Sequence, residues 1–122
     1  MKFYYDGQLI RTSKTHIYTH ACIRKGENGY ICLGCSSTRA GAEKVKIDKI
    51  RTLESAIYIY TARIEAIKAG KNGFYDIKHK WISFKECSDA TLEELERWLE
   101  SVKESLERVK NEWMIVEVNG EV

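Results

Sequence analysis

The sequence predicts an α+β protein, an N-terminal antiparallel β-meander followed by two long amphipathic helices, oligomeric through those helices. Three observations carry this prediction. The first third alternates β-branched and aromatic runs with Asp6-Gly7 and Asn28-Gly29 turns. Two later stretches repeat apolar residues at steps of three and four. Proline is absent and no low-complexity linker interrupts the 122 residues, so residues 1–122 read as a single domain.

The β-meander is expected over residues 1–37. Lys2–Tyr5 and Gln8–Arg11 flank Asp6-Gly7, a strong hairpin signal because both turn residues tolerate positive φ. His16–Ile23 reads as a third strand and Tyr30–Ser36 as a fourth. A long helix follows over 38–69, with Ser37 or Thr38 as its N-cap and Gly70 where it stops. Its seam is Ile50, Leu53, Ile57, Tyr60, Ile64 and Ile67. One strand is expected within 74–84. Thr91-Leu92-Glu93-Glu94 is a capping box that opens a second helix over 91–113, with the seam Leu92, Leu95, Leu99, Val102, Leu106, Val109 and Trp113. Residues 114–118 read as a short final strand before an Asn119-Gly120 turn.

The first helix sets the oligomer expectation. Thirty-two residues span about 48 Å at 1.5 Å per residue, against a diameter of roughly 35 Å for a compact chain of this size. A helix that overshoots its domain leaves apolar seam in water unless a second copy, in a homodimer or higher homo-oligomer, covers it.

Composition excludes several classes. No apolar run approaches the ~20 residues that cross a bilayer. The start Met1-Lys2-Phe3-Tyr4-Tyr5 is too short an apolar stretch for a signal peptide, so a cytoplasmic location without membrane association is expected. The four cysteines are then expected to be reduced. Duplex nucleic acid is not an expected partner, because the pI of about 8.3 is modest and no recognised binding motif is present. Charge is uneven, however. Residues 1–51 hold ten Lys and Arg against four Asp and Glu, while residues 52–122 hold ten against fourteen. A basic front half suits an anionic ligand, and it equally suits attraction between the two halves.

Catalytic patterns are weak. Cys32-x-x-Cys35 has metal-ligand spacing, but it is a single pair in a strand, where the two thiols would face opposite sides. They read as small buried apolar groups, with no metal and no cofactor implied. No base is tied to Cys35 by spacing, and the acids of 93–112 read as a solvated helix face, so no catalytic residue is assigned and no enzyme is expected. The residues that stand out are donors. Ser36, Ser37, Thr38 and Arg39 follow a strand and open a helix, whose free N–H groups and positive dipole end suit a phosphate. Arg11, Ser13 and Lys14 form a second donor-rich stretch beside the sheet. Trp98, and Arg108 on the helix face of Arg97, Ser101 and Glu104, are further ligand-binding candidates. Capping, a polar turn and solvent exposure explain the same residues without a ligand.

Phe3-Tyr4-Tyr5-Asp6-Gly7-Gln8-Leu9-Ile10-Arg11-Thr12-Ser13, then Tyr18-Thr19-His20-Ala21, then Cys35-Ser36-Ser37-Thr38 leading into a helix with Gly41-Ala42-Glu43, resemble the Thoeris anti-defence protein one family of phages. The resemblance covers about the first 70 residues. It implies a sponge: an oligomeric protein that binds the glycocyclic ADP-ribose isomer made by bacterial TIR-domain enzymes in the infected cell and holds it uncleaved. Some members also hold cyclic oligonucleotides at separate sites. Two rival readings stay open. A small phage inhibitor could act by direct contact with a host defence protein, which the acidic last helix would favour. A zinc or thiol enzyme would require three ligands converging in space.

Overall fold

Among the described residues the backbone forms eight short strands and two long helices. The structure, a computed structural model, describes residues 1–87 and 89–122. In order these are β1 (Lys2–Tyr5), β2 (Gln8–Thr12), β3 (His20–Gly26), β4 (Gly29–Ser36), α1 (Arg39–Lys68), β5 (Gly73–Tyr75), β6 (Trp81–Ser83), α2 (Leu92–Glu112), β7 (Met114–Glu117) and β8 (Asn119–Glu121). A 3-10 turn, Phe84–Glu86, follows β6. The α+β class and the order of strands then helices stand as expected. The chain nevertheless divides into two compact units, one of residues 1–50 with 108–122 and one of residues 51–107.

In the first unit the predicted meander is two hairpins in separate sheets. One sheet has the order β2-β1-β8 and the other β4-β3-β7. Asp6 and Gly7 have φ of 49° and 78°, the left-handed pair that matches the turn to the twist of β1 and β2. Strand β3 starts at His20 rather than His16, because the Ser13 Oγ accepts from the Thr15 and His16 N–H groups and curls that segment into a turn. The Asn119-Gly120 turn is not formed. Val118 donates to the Thr19 carbonyl at the end of β7, and the chain then crosses to pair with β1 as β8. Gly120 is needed there, since a Cβ would come within 3.1 Å of the Phe3 ring.

The two sheets share a core of Phe3, Ala21, Ile23 and Val118, with Tyr5, Ile10, Tyr18 and Tyr30 packed against it. The Gln8 side chain links β2 to β4 as a surrogate peptide, donating to the Tyr30 carbonyl and accepting from the Tyr30 N–H, both at 2.7 Å. Gly29, at φ +128°, leaves room for the Gln8 carboxamide. On the other face of the second sheet α1 lies close. A Cβ on Gly34 would come 2.9 Å from Val45, and Ala42 is fully buried. Buried neighbours Ala21, Cys22 and Ile23 follow from this, since β3 is covered on both faces. Lys46 donates to the carbonyls of Lys110 and Trp113 at 3.1 and 3.0 Å, placing a cation where α2 ends.

In the second unit the two seams meet each other. Tyr60 of α1 packs its ring 6.1 Å from that of Trp98, and Lys68 pairs with Glu96 at 3.3 Å, so the helices run antiparallel. Leu53, Ile64 and Leu95 are buried. A helix of 30 residues is long because it serves two units, and in the second unit Leu53 and Ile64 of its seam are buried. Gly70, at φ +72°, ends α1 in a Schellman motif, with Lys71 N–H bonded to the Ala66 carbonyl at 2.9 Å and Gly70 N–H to Ile67 at 3.1 Å.

The single strand expected in 74–84 is a hairpin of β5 and β6. Its loop is closed by the Asp76 carboxylate, which accepts from the Lys78 and Lys80 N–H groups at 2.9 Å, and by His79 at φ 59°. The capping box at α2 is formed, with Glu94 N–H to Thr91 Oγ1 at 3.1 Å and Thr91 N–H to Glu94 Oε1 at 3.5 Å. Thr91→Ala is expected to lower stability by about 1 kcal/mol, read as a shifted denaturant midpoint with an unchanged slope.

Candidate functional site

Two donor-rich segments that lie about twenty positions apart in sequence join in the first unit. The turn at 13–16 feeds Ile17, Tyr18 and Thr19 alongside the end of β4. The Ser37 hydroxyl donates to the Ile17 carbonyl at 2.8 Å, and the Thr19 N–H donates to the Ser36 carbonyl at 2.9 Å. Arg11, from β2, reaches the same place, beside the Tyr18 side chain and the Cys32 and Cys35 thiols. Burial opposes the charge on Arg11, but the sulfurs of Cys32 and Cys35 and the Tyr18 hydroxyl outweigh it and raise the guanidinium pKa. Arg11 is thus a permanent, largely exposed cation held by a fixed frame.

The hydroxyls around α1 have structural work. Ser36 Oγ accepts from the Thr38 N–H at 3.2 Å, and Thr38 Oγ1 accepts from the Gly41 N–H at 3.0 Å. Both act as caps and keep an O–H for another acceptor. Ser37 spends its proton on Ile17 and keeps only lone pairs. Arg39 pairs with Glu43 at 2.9 Å on the open surface, a contact easily exchanged for a stronger anion. Gly41 sits where a side chain would strike Ser36 and Thr38, so the first turn of α1 stays open only with glycine there.

Of the residues singled out in the sequence, Arg11, Ser36, Ser37 and Thr38 belong to this one connected cluster, and Arg39 follows it in the first turn of α1. Ser13 organises the adjacent turn and exchanges backbone bonds with Met1, while Lys14 is exposed on that turn. Arg108 lies on the exposed surface of α2. Trp98 belongs to the second unit, where Tyr60 covers one side of its ring. Tyr18 was missed as a site residue. Its β-branched and aromatic surroundings read as strand, and only its phenolic tip beside a basic stretch hinted at a second role. The His16 ring stacks on it at 5.6 Å and 4°.

The second unit offers a different surface. Tyr58, Tyr75 and Trp81 are 42%, 57% and 44% exposed, and the Tyr75 and Trp81 rings meet edge to face at 5.1 Å. These three line a cavity of about 330 Å³ that Glu65 and Lys71 also border. Beside it a groove of about 550 Å³ runs between Ile57, Tyr58, Thr61, Ala62 and Leu106. Nothing in the period-based reading of α1 marked Tyr58, because it lies off the seam. Among the described residues no three His, Cys, Asp or Glu side chains converge on a metal position, and no helix is long and apolar enough to cross a membrane.

No family model, no curated protein and no solved structure matches the chain.

Proposed function

We propose that this chain binds and sequesters a nucleotide immune signal, a glycocyclic ADP-ribose isomer, without cleaving it, as a phage anti-defence protein acting in the host cytoplasm. One observation carries the reading: Arg11, Tyr18 and the capped start of α1 form a single framed cluster of cation, hydroxyl and helix-dipole donors. A pyrophosphate needs several fixed donors at once, and this cluster supplies them from rigid strands and a helix end. The sequence resemblance points the same way. Titration of the protein with cyclic ADP-ribose isomers in a calorimeter tests the reading. A saturable heat with one of them is expected; no heat with any isomer contradicts it.

Self-association belongs to the same reading, at an open edge of the two seams. The groove at Tyr58, Ile57 and Leu106 is the apolar face that α2 leaves uncovered on α1 in the second unit. Tyr58→Glu is expected to lower the sedimenting mass at micromolar concentration while the helical circular dichroism is kept, because Tyr58 is already 42% exposed in the single chain. Wild-type protein that sediments as a monomer contradicts self-association.

The exposed Tyr75 and Trp81 pair favours a second reading, inhibition of a host defence protein by direct contact, since aromatic residues concentrate binding energy at protein interfaces. Under that reading Trp81→Ala abolishes inhibition in infected cells while Arg11→Ala does not; the sponge reading expects Arg11→Ala to abolish it.

A further inference from the structure

We infer that Cys32 and Cys35 are a paired dithiol that closes reversibly into an intrachain disulfide, a modification site on β4 next to Arg11.

The pairing arises from an irregularity in the sheet. In a regular strand, residues three apart point to opposite faces. Here Ala21 pairs with Cys35, Cys22 with Gly34, and Ile23 with Cys32, so Leu33 is an extra residue with no partner on β3. That β-bulge inverts the alternation between Leu33's two neighbours. Cys32 and Cys35 therefore share the face of Ile23 and Ala21, and their Sγ atoms stand 3.6 Å apart. Both are half-buried, whereas Cys22 is fully buried on the opposite face, where α1 covers the sheet. β4 is an edge strand whose only strand partner in the described sheet is β3, and the Gln8 and Thr19 bonds reach it at Tyr30 and Ser36, its two ends, so the backbone can tighten at the bulge without breaking a second ladder.

The chemistry balances with a small disulfide such as oxidised glutathione as the oxidant. The Cys32 thiolate attacks one sulfur of the oxidant, forming a mixed disulfide and releasing one glutathione thiolate. Cys35 then gives up its proton, attacks the Cys32 sulfur and expels the second glutathione. The protein loses two hydrogens and the oxidant becomes two thiols. The order follows from the surroundings. Burial, and next the hydrogen bond with Cys32, push the Cys35 thiol up to about 12 despite Arg11, so Cys35 is the poorer first nucleophile. A bridge between residues three apart along a strand pulls on the backbone, which places it in the easily reduced class rather than the structural one.

The full chain supplies its own assay. Cys32 and Cys35 fall in one tryptic peptide, Gly26–Arg39, with no Lys or Arg between them. After treatment of reduced protein with oxidised glutathione, that peptide should lose two hydrogens, resist alkylation and recover both thiols with dithiothreitol. Cys35→Ser should stop at a stable glutathione adduct on Cys32, while Cys32→Ser should react more slowly than wild type. Circular dichroism before and after oxidation checks that the fold is retained. An unreacted peptide, a lasting adduct on the wild-type chain, or a link from either thiol to Cys22 or Cys87 overturns the inference.

Discussion

Replacing Arg11 by Ala is expected to weaken binding of the cyclic ADP-ribose isomer by about ten- to a hundredfold and to leave the fold intact. A charge-assisted hydrogen bond contributes roughly 1.5–3 kcal/mol, and each 1.4 kcal/mol is about a factor of ten in affinity. The side chain is largely exposed and lies outside the core, so its loss would remove the proposed ligand contact and its proximity to Tyr18 with little packing. Arg11→Lys should recover part of the affinity, because it restores the charge without the planar fork. Arg39→Ala should cost less, since Arg39 stands on the open surface after the framed cluster and is not held beside Tyr18 as Arg11 is. Equal and unchanged affinities in all three variants would move the site away from this cluster.

The largest stability effect is expected at Phe3. Its ring is fully buried between the two sheets, 5.1 Å from the Tyr18 ring, and Gly120 is kept bare to admit it. Phe3→Ala should cost about 3–5 kcal/mol, a large part of the 5–15 kcal/mol that typically holds a domain together. Because Tyr18 leans on Phe3 and stands beside Arg11, the same variant should also weaken the proposed ligand binding where it stays folded. Urea unfolding followed by two probes, near-ultraviolet and far-ultraviolet circular dichroism, measures the loss. A shift below about 1 kcal/mol would mean that the shared core is not what joins the sheets.

The legible parts of this chain are those written in local chemistry. Asp6-Gly7, Gly70 and the Thr91–Glu94 box each specify one backbone geometry, and each appears as read. The helix seams were legible in period, but not that α1 and α2 pack on each other within one chain. Periodicity says that a face is buried and is silent on whether the same chain or another copy buries it. The sheet topology was hidden for a related reason. Hairpins are local, but the pairing of β8 with β1 and of β7 with β3 joins the two ends of the chain, and Asn119-Gly120 carries a turn signal that tertiary pairing overrides. The β5–β6 loop lacks Gly and Pro, so its turn rested on Asp76 and His79 alone. At the site, the donor types and their two segments could be read from the sequence. Their convergence on Tyr18 could not, nor could the bulge at Leu33 that brings Cys32 and Cys35 to one face.

The central claim is capture without turnover, and one experiment addresses both halves. The protein is incubated with a glycocyclic ADP-ribose isomer, filtered free of unbound ligand, then heat-denatured, and the released small molecule is identified by mass and chromatographic position. The account predicts that the isomer leaves solution with the native protein and is recovered intact, in stoichiometric amount, after denaturation. Isomer that stays in the filtrate, or a released molecule of different mass or retention, would contradict it.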